Sequence, residues 1–130
     1  MTVKTTNLTL TPAIATFLAQ RVDAITKLLA RAEARTRAAG KTFSHTTVAG
    51  RIELGRTTRH HQKGDVFRAE MMLDVPGRKT LRAEATADDL RVAINRMRDE
   101  TQREIRSWKE KKAVLMKKGA RKFKSRVRGE

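Results

Sequence analysis

Apolar residues recur at spacings of three and four from Ile14 to Ala32, at every second position through much of Val48 to Ala85, and at three and four again from Leu90 to Trp108. Two helical stripes bracketing a block of alternation leave few ways to bury apolar surface in one core. The first stripe, Ile14, Phe17, Leu18, Val22, Ile25, Leu28, Leu29 and Ala32, follows Thr11-Pro12, a capping residue with proline at the first helical position. A helix from there to Gly40 holds about 28 residues and is roughly 42 Å long. A short β-leaning segment, Val3 to Thr6, precedes it.

The middle block reads as three strands. Thr46 to Leu54 puts Val48, Ile52 and Leu54 on one face and Thr47, Arg51 and Glu53 on the other. Gly55 to Gly64 reads as a polar loop carrying Arg56, Arg59 and Lys63. Phe67, Ala69, Met71 and Leu73 alternate with Arg68, Glu70, Met72 and Asp74, and Leu81, Ala83 and Ala85 alternate with Thr80, Arg82 and Glu84. Pro76-Gly77 between them suits a type II turn. The expected fold is α+β, ordered β-α-β-β-β-α, with one four-stranded sheet and two long helices packed on one face.

The last helix is expected to begin at Thr86, an N-cap with Asp89 three residues on. Its apolar stripe is Leu90, Ala93, Ile94, Met97, Thr101, Ile105 and Trp108. Charge divides it sharply: residues 86–100 sum to −1, and residues 101–130 carry twelve basic and three acidic residues, a net of +9. Gly119 is the expected helix stop. The organisation expected is a domain over 1–112 and a basic tail over 113–130, disordered when free.

A length of 130 residues suits one domain. Leu, Ile, Val and Phe make up 27 of the 130, close to the level at which a highly charged chain is suspected of disorder, so periodicity rather than composition argues for folding. A net charge of +16 implies an extended acidic partner. No apolar run approaches the roughly 18 residues of a membrane span, and the N-terminus lacks the pattern of a signal peptide, so a soluble cytoplasmic monomer without membrane contact is expected. With no cysteine there is no disulfide, thiolate chemistry or cysteine-based zinc site.

Catalytic chemistry finds little support. There is no phosphate-cradling glycine motif, no HExxH and no Gly-Gly-Gln loop, so neither an enzyme nor a cofactor or small-molecule substrate is expected. His45, His60 and His61 lack the carboxylate partners of a metal site. Asp99, Glu100 and Glu104 lie among Arg96, Arg98 and Arg103 at spacings of ordinary ion pairs. Trp108 reads as a core cap, and Arg21, Lys27, Arg31 and Arg35 as a solvated helix face. The basic half of the last helix is the functional signal: Arg103, Arg106, Lys109, Lys111, Lys112, Lys117 and Lys118 outnumber Glu104 and Glu110. In the tail, Phe123 sits among Arg121, Lys122 and Lys124, a pattern able to stack on an unpaired base.

The block LDVPGRKTLRAEATADDLRVAINRM, followed by REIRSWKEK, resembles the ribosome hibernation promoting factors, a family that includes ribosome-associated inhibitor A and was once labelled sigma-54 modulation protein. Leu81, Arg82, Ala83 and Glu84 match its strand, Asp89, Leu90, Ala93 and Ile94 its helix start, and Arg103, Ile105, Arg106, Lys109 and Lys111 its basic helix end. The segment LTLTPAIATFLAQRV resembles its first helix, so the likeness covers about residues 3–112. Arg91 stands where that family usually has Tyr, and Asn95 where it usually has Asp. The residues after Lys112 are too few and too polar for the long form's dimerisation domain, so the chain resembles a short form.

The resemblance implies a protein that binds the small ribosomal subunit in the mRNA and tRNA channel, at the A and P sites, and blocks translation sterically. The cations expected on ribosomal RNA are Lys27, Arg68, Arg82, Arg103, Arg106, Lys109, Lys111 and Lys112, with tail contacts from Lys117, Lys118, Arg121, Lys122, Phe123 and Lys124. The basic tail implies occupation of the mRNA path, keeping ribosomes single. The rival reading is a general structured-RNA-binding or RNA-annealing protein without ribosome preference.

Overall fold

Thr11 opens the first helix as the spacing predicts: its Oγ1 accepts a hydrogen bond from Ile14 N at 3.2 Å, and Pro12 fills the first helical position. The computed structural model describes the backbone of residues 1–40, 43–58, 64–77 and 80–127, with side chains other than those of 58 and 112–127. Its elements run β1 (Thr2–Thr6), α1 (Pro12–Ala38), β2 (Ala49–Thr58), β3 (Asp65–Asp74), β4 (Leu81–Ala87) and α2 (Leu90–Val127), the β-α-β-β-β-α order expected.

The sheet order is β1-β2-β3-β4. β1 and β2 pair in parallel because α1 carries the chain back between them, whereas β2–β3 and β3–β4 are antiparallel. Gly77 turns the chain between β3 and β4 at φ 77°, the left-handed position that a type II turn reserves for glycine.

Period two then decides which face is buried. Ile52, Leu54, Ala69, Met71, Leu73 and Leu81 form one cluster with Ile25, Leu28 and Leu29 of α1 and Ile94, Met97 and Ile105 of α2. Both helices therefore lie on the same side of the sheet. Trp108 closes the far end of this core, its ring edge-on to Phe43 at 5.6 Å and its Nε1 donating to Pro76 O at 3.2 Å. Among the described residues no buried side-chain polar atom lacks a partner; Thr36 and Thr101, for instance, donate back to the carbonyls of Ala32 and Met97.

The other face of the sheet carries charge. Lys4, Glu53, Glu70 and Glu84 occupy one cross-strand row. Three carboxylates side by side repel, and Arg68 in the next row offsets this by donating to Glu70 and to Glu84, each at 2.7 Å. That contact raises the Arg68 pKa and lowers that of Glu84.

Four local expectations are corrected. The strand expected from Thr46 starts at Ala49, because Ser44 O accepts from Thr47 Oγ1 at 2.7 Å and holds a 3-10 turn over His45–Thr47. Gly55 and Arg56 belong to β2 rather than to a loop, paired with Arg68 and Phe67. Thr86 is a β4 residue opposite Arg68, and the cap of α2 is Asp89, whose Oδ1 accepts from Arg91 N at 2.8 Å and Val92 N at 3.4 Å. The β3 ladder claims Thr86, and aspartate caps as well as threonine. Gly119 lies inside α2; one glycine costs about 1 kcal/mol relative to alanine, too little to end a helix rich in Lys, Arg, Ala and Met. The loop residues Arg59, His60, His61 and Lys63 lie outside the described residues.

Candidate nucleic-acid interface

α1 and α2 run parallel, since each follows a strand pointing the same way and returns across the same face of the sheet. Their register is fixed by Arg21, which donates from Nε to Asn95 Oδ1 at 2.8 Å, and by Arg91, which reaches the Phe17 ring. The offset of 74 residues in the Arg21–Asn95 pair brings Arg31 and Arg35 level with Ile105 to Lys109. The basic half of α2 therefore lies beside a basic stripe of α1.

Lys109 reports this neighbourhood. Its pKa is lowered, first by burial and then by the charges of Arg35, Arg31 and Arg106. Among the described residues Arg31, Arg35 and Arg106 form no ion pair. Among the described residues four cations thus converge at this end of the helix pair, and none of Arg31, Arg35 and Arg106 is held by a carboxylate. A polyanion laid there would relieve the repulsion among these cations.

Other expected site residues divide by position. Lys27 pairs with Asp23 and Arg103 with Glu100, each at 3.1 Å and on exposed helix surface. Such pairs contribute only about 0.3–0.5 kcal/mol, so both cations can be drawn to phosphate. Lys111 is exposed too, but two residues on from Lys109 it lies about 200° further round α2 and so does not face α1. Arg68 and Arg82, in contrast, stand on the open face of the sheet, away from the helices, and Arg68 is held by Glu70 and Glu84. The side chains of Lys112, Lys117, Lys118, Arg121, Lys122, Phe123 and Lys124 lie outside the described residues.

Arg31 and Arg35 belong to the cluster although the sequence reading left them on a solvated face. The signal was there: Lys27, Arg31 and Arg35 repeat at intervals of four, like charges at a spacing that destabilises a helix on its own. The acidic residues do form ion pairs, Asp99 with Arg98 at 2.9 Å and Glu100 with Arg103 at 3.1 Å. Among the described residues no group of His, Asp and Glu has the arrangement of a metal site. His45 Nδ1 meets Glu33 instead, and this hydrogen bond is the main cause of the lowered Glu33 pKa.

A mixed four-stranded sheet backed by two parallel helices, with cations converging on those helices, defines an α+β domain with one strongly basic side. The chain belongs to the family described as sigma 54 modulation protein / S30EA ribosomal protein, whose pattern matches residues 1–113. It is accordingly a ribosome-associated protein of the hibernation class. Among solved structures, the N-terminal domain of Protein Y from Thermus thermophilus is similar at 21% identity and a TM-score of 0.50, over 82% of this chain and 94% of that one. A ribosomal subunit interface protein from Coxiella burnetii is similar at 13% identity and a TM-score of 0.51, over 85% of this chain and 99% of that one. At such identities they show a shared fold. No curated protein matches the chain. Among the described residues no helix is long and apolar enough to cross a membrane.

Proposed function

We propose that this protein binds the small ribosomal subunit in the channel used by mRNA and by tRNA at the A and P sites, and keeps the ribosome idle by occupying that space. Residues 1–112 are the binding domain and 113–130 a basic extension lying in the mRNA path. The action is steric and needs no catalysis. The protein works as a cytoplasmic monomer, and its partner surface is ribosomal RNA.

The observation that carries this reading is the convergence of Arg31, Arg35, Arg106 and Lys109 from two helices without a carboxylate partner among the described residues. Lys27 and Arg103, exposed on the same two helices, extend that surface, and Lys111 adds a cation further round α2. If about six phosphates are neutralised, the logarithm of the affinity falls against log salt with a slope of about −4 to −5.

The test is sucrose-gradient sedimentation of purified ribosomes with the protein, with and without excess structured competitor RNA, alongside translation of a reporter message. Co-sedimentation that resists competitor and halts translation is expected. The variant carrying R103E, R106E and K109E should keep its helical signal and lose subunit binding; tight binding by that variant refutes the assignment.

A further inference from the structure

The opposite end of the helix pair holds a second set of cations that the cluster at Lys109 does not include. The Arg21 guanidinium lies over the Phe17 ring at 4.0 Å from its centroid, and the Arg91 guanidinium reaches the same ring at 5.4 Å. The two charges are therefore within about one Debye length of each other, ~10 Å at 0.1 M salt, and their repulsion is not screened away. Among the described residues neither guanidinium is in an ion pair: Asp89 caps α2 through Arg91 N and Val92 N, and Asp23 pairs with Lys27. Arg21 is pinned by neutral groups, the Asn95 and Gln20 side-chain oxygens, which orient it without cancelling its charge. Arg91 stands in the first turn of α2, where the positive helix end disfavours a cation. Among the described residues its guanidinium has no hydrogen-bond partner.

We infer that Arg21 and Arg91, stacked on Phe17, form a separate fork for the phosphodiester backbone of RNA. Stacking on a ring leaves a guanidinium's N–H groups directed outward in its own plane: the Arg91 edge can meet two phosphate oxygens, and Arg21, with Nε on Asn95 and one terminal nitrogen on Gln20, can offer its remaining terminal N–H groups. The fork and the Lys109 cluster lie on the same pair of helices. Arg21 and Arg35 are about 21 Å apart along α1 at 1.5 Å per residue, so the occupant is an extended strand rather than a single ion. The inference rests on the RNA-binding reading above and gives it a second anchor.

The test measures affinity against salt for R21Q, R91Q and N95D, using small ribosomal subunits and, separately, a short synthetic single-stranded RNA. Each Arg→Gln change should lower affinity and make the slope shallower by about 0.7–0.9. Asn95→Asp puts a carboxylate beside Arg21 without removing any cation, and it should weaken binding while leaving thermal stability equal or higher. If R21Q fails to fold, R91Q and N95D decide. Unchanged slopes in folded variants, or unchanged binding by N95D, overturn the fork and reduce the stack to a helix–helix contact. Wild-type protein that binds the short RNA but shows no preference for subunits refutes the ribosomal reading alone, and the slopes on the short RNA still decide the fork.

Discussion

Lys109 shows at the scale of one residue how binding and stability oppose each other. Its folded pKa lies below the ordinary 10.5, because burial comes first among the causes and the charges of Arg35, Arg31 and Arg106 add to it. The unfolded chain then holds the proton more tightly than the folded one. The resulting deficit is fully present at neutral pH, and stability recovers as pH rises through the window between the lowered value and 10.5. Lys109→Met keeps the apolar stem and deletes the charge. It should raise the melting temperature by a few degrees at neutral pH, with the gap to wild type narrowing in alkali, while the salt slope of ribosome binding becomes shallower by about 0.7–0.9. A melting temperature that falls would show that Lys109 is a stabilising residue and sink this account. Asp89 and Thr86 make a different point about single residues. The sequence pointed to Thr86 as the cap, and only the ladder from Arg68 to Thr86, a contact across 18 positions of chain, assigns Thr86 to β4 and leaves the cap to Asp89.

At the scale of elements, both amphipathic helices and all four strands were legible because each keeps one period over several turns or pleats. The pairing seen in the structure agrees with the connections, a helix between the parallel strands β1 and β2 and a proline–glycine turn between the antiparallel β3 and β4. The boundaries were less legible. A 3-10 turn held by Ser44 and Thr47, and the continuation of β2 through Gly55, depend on hydrogen bonds that composition does not encode. The site was half legible: charge density on α2 is a local property, whereas the contribution of Arg31 and Arg35 depends on the register between two helices. The same register sets the role of the C-terminal segment. The end of α1 at Ala38 comes level with about residue 112, and α2 continues from there to Val127. Among the described residues Trp108 is the last in the core cluster. Deletion of residues 113–130 should therefore leave thermal unfolding nearly unchanged, lower affinity for ribosomes, and allow paired ribosomes to sediment. Unaltered affinity and an unaltered gradient would remove the extension from the binding surface.

At the scale of the whole molecule, a chain of net charge +16 would be drawn to RNA in any orientation if its cations were evenly spread. They are not evenly spread. The row of Glu53, Glu70 and Glu84 gives the open side of the sheet a local negative line, with Arg68 committed to it. Lys4, Arg51 and Arg82 stand on the same side, so RNA approaching it meets nearly balanced charge, whereas RNA approaching the helices meets a surplus of cations. The consequence is kinetic: the acidic row acts as a keel, turning the protein before contact so that fewer collisions are spent in unproductive poses. Replacing Glu53 and Glu84 by glutamine should raise binding to unrelated RNA at low salt and slow productive association with the subunit, while the dissociation rate stays the same. An unchanged association rate in stopped-flow mixing would mean the row has no part in the approach. A ribosome-associated protein that meets a particle covered with phosphate thus gains as much from the face whose charge is balanced as from the face whose charge is not.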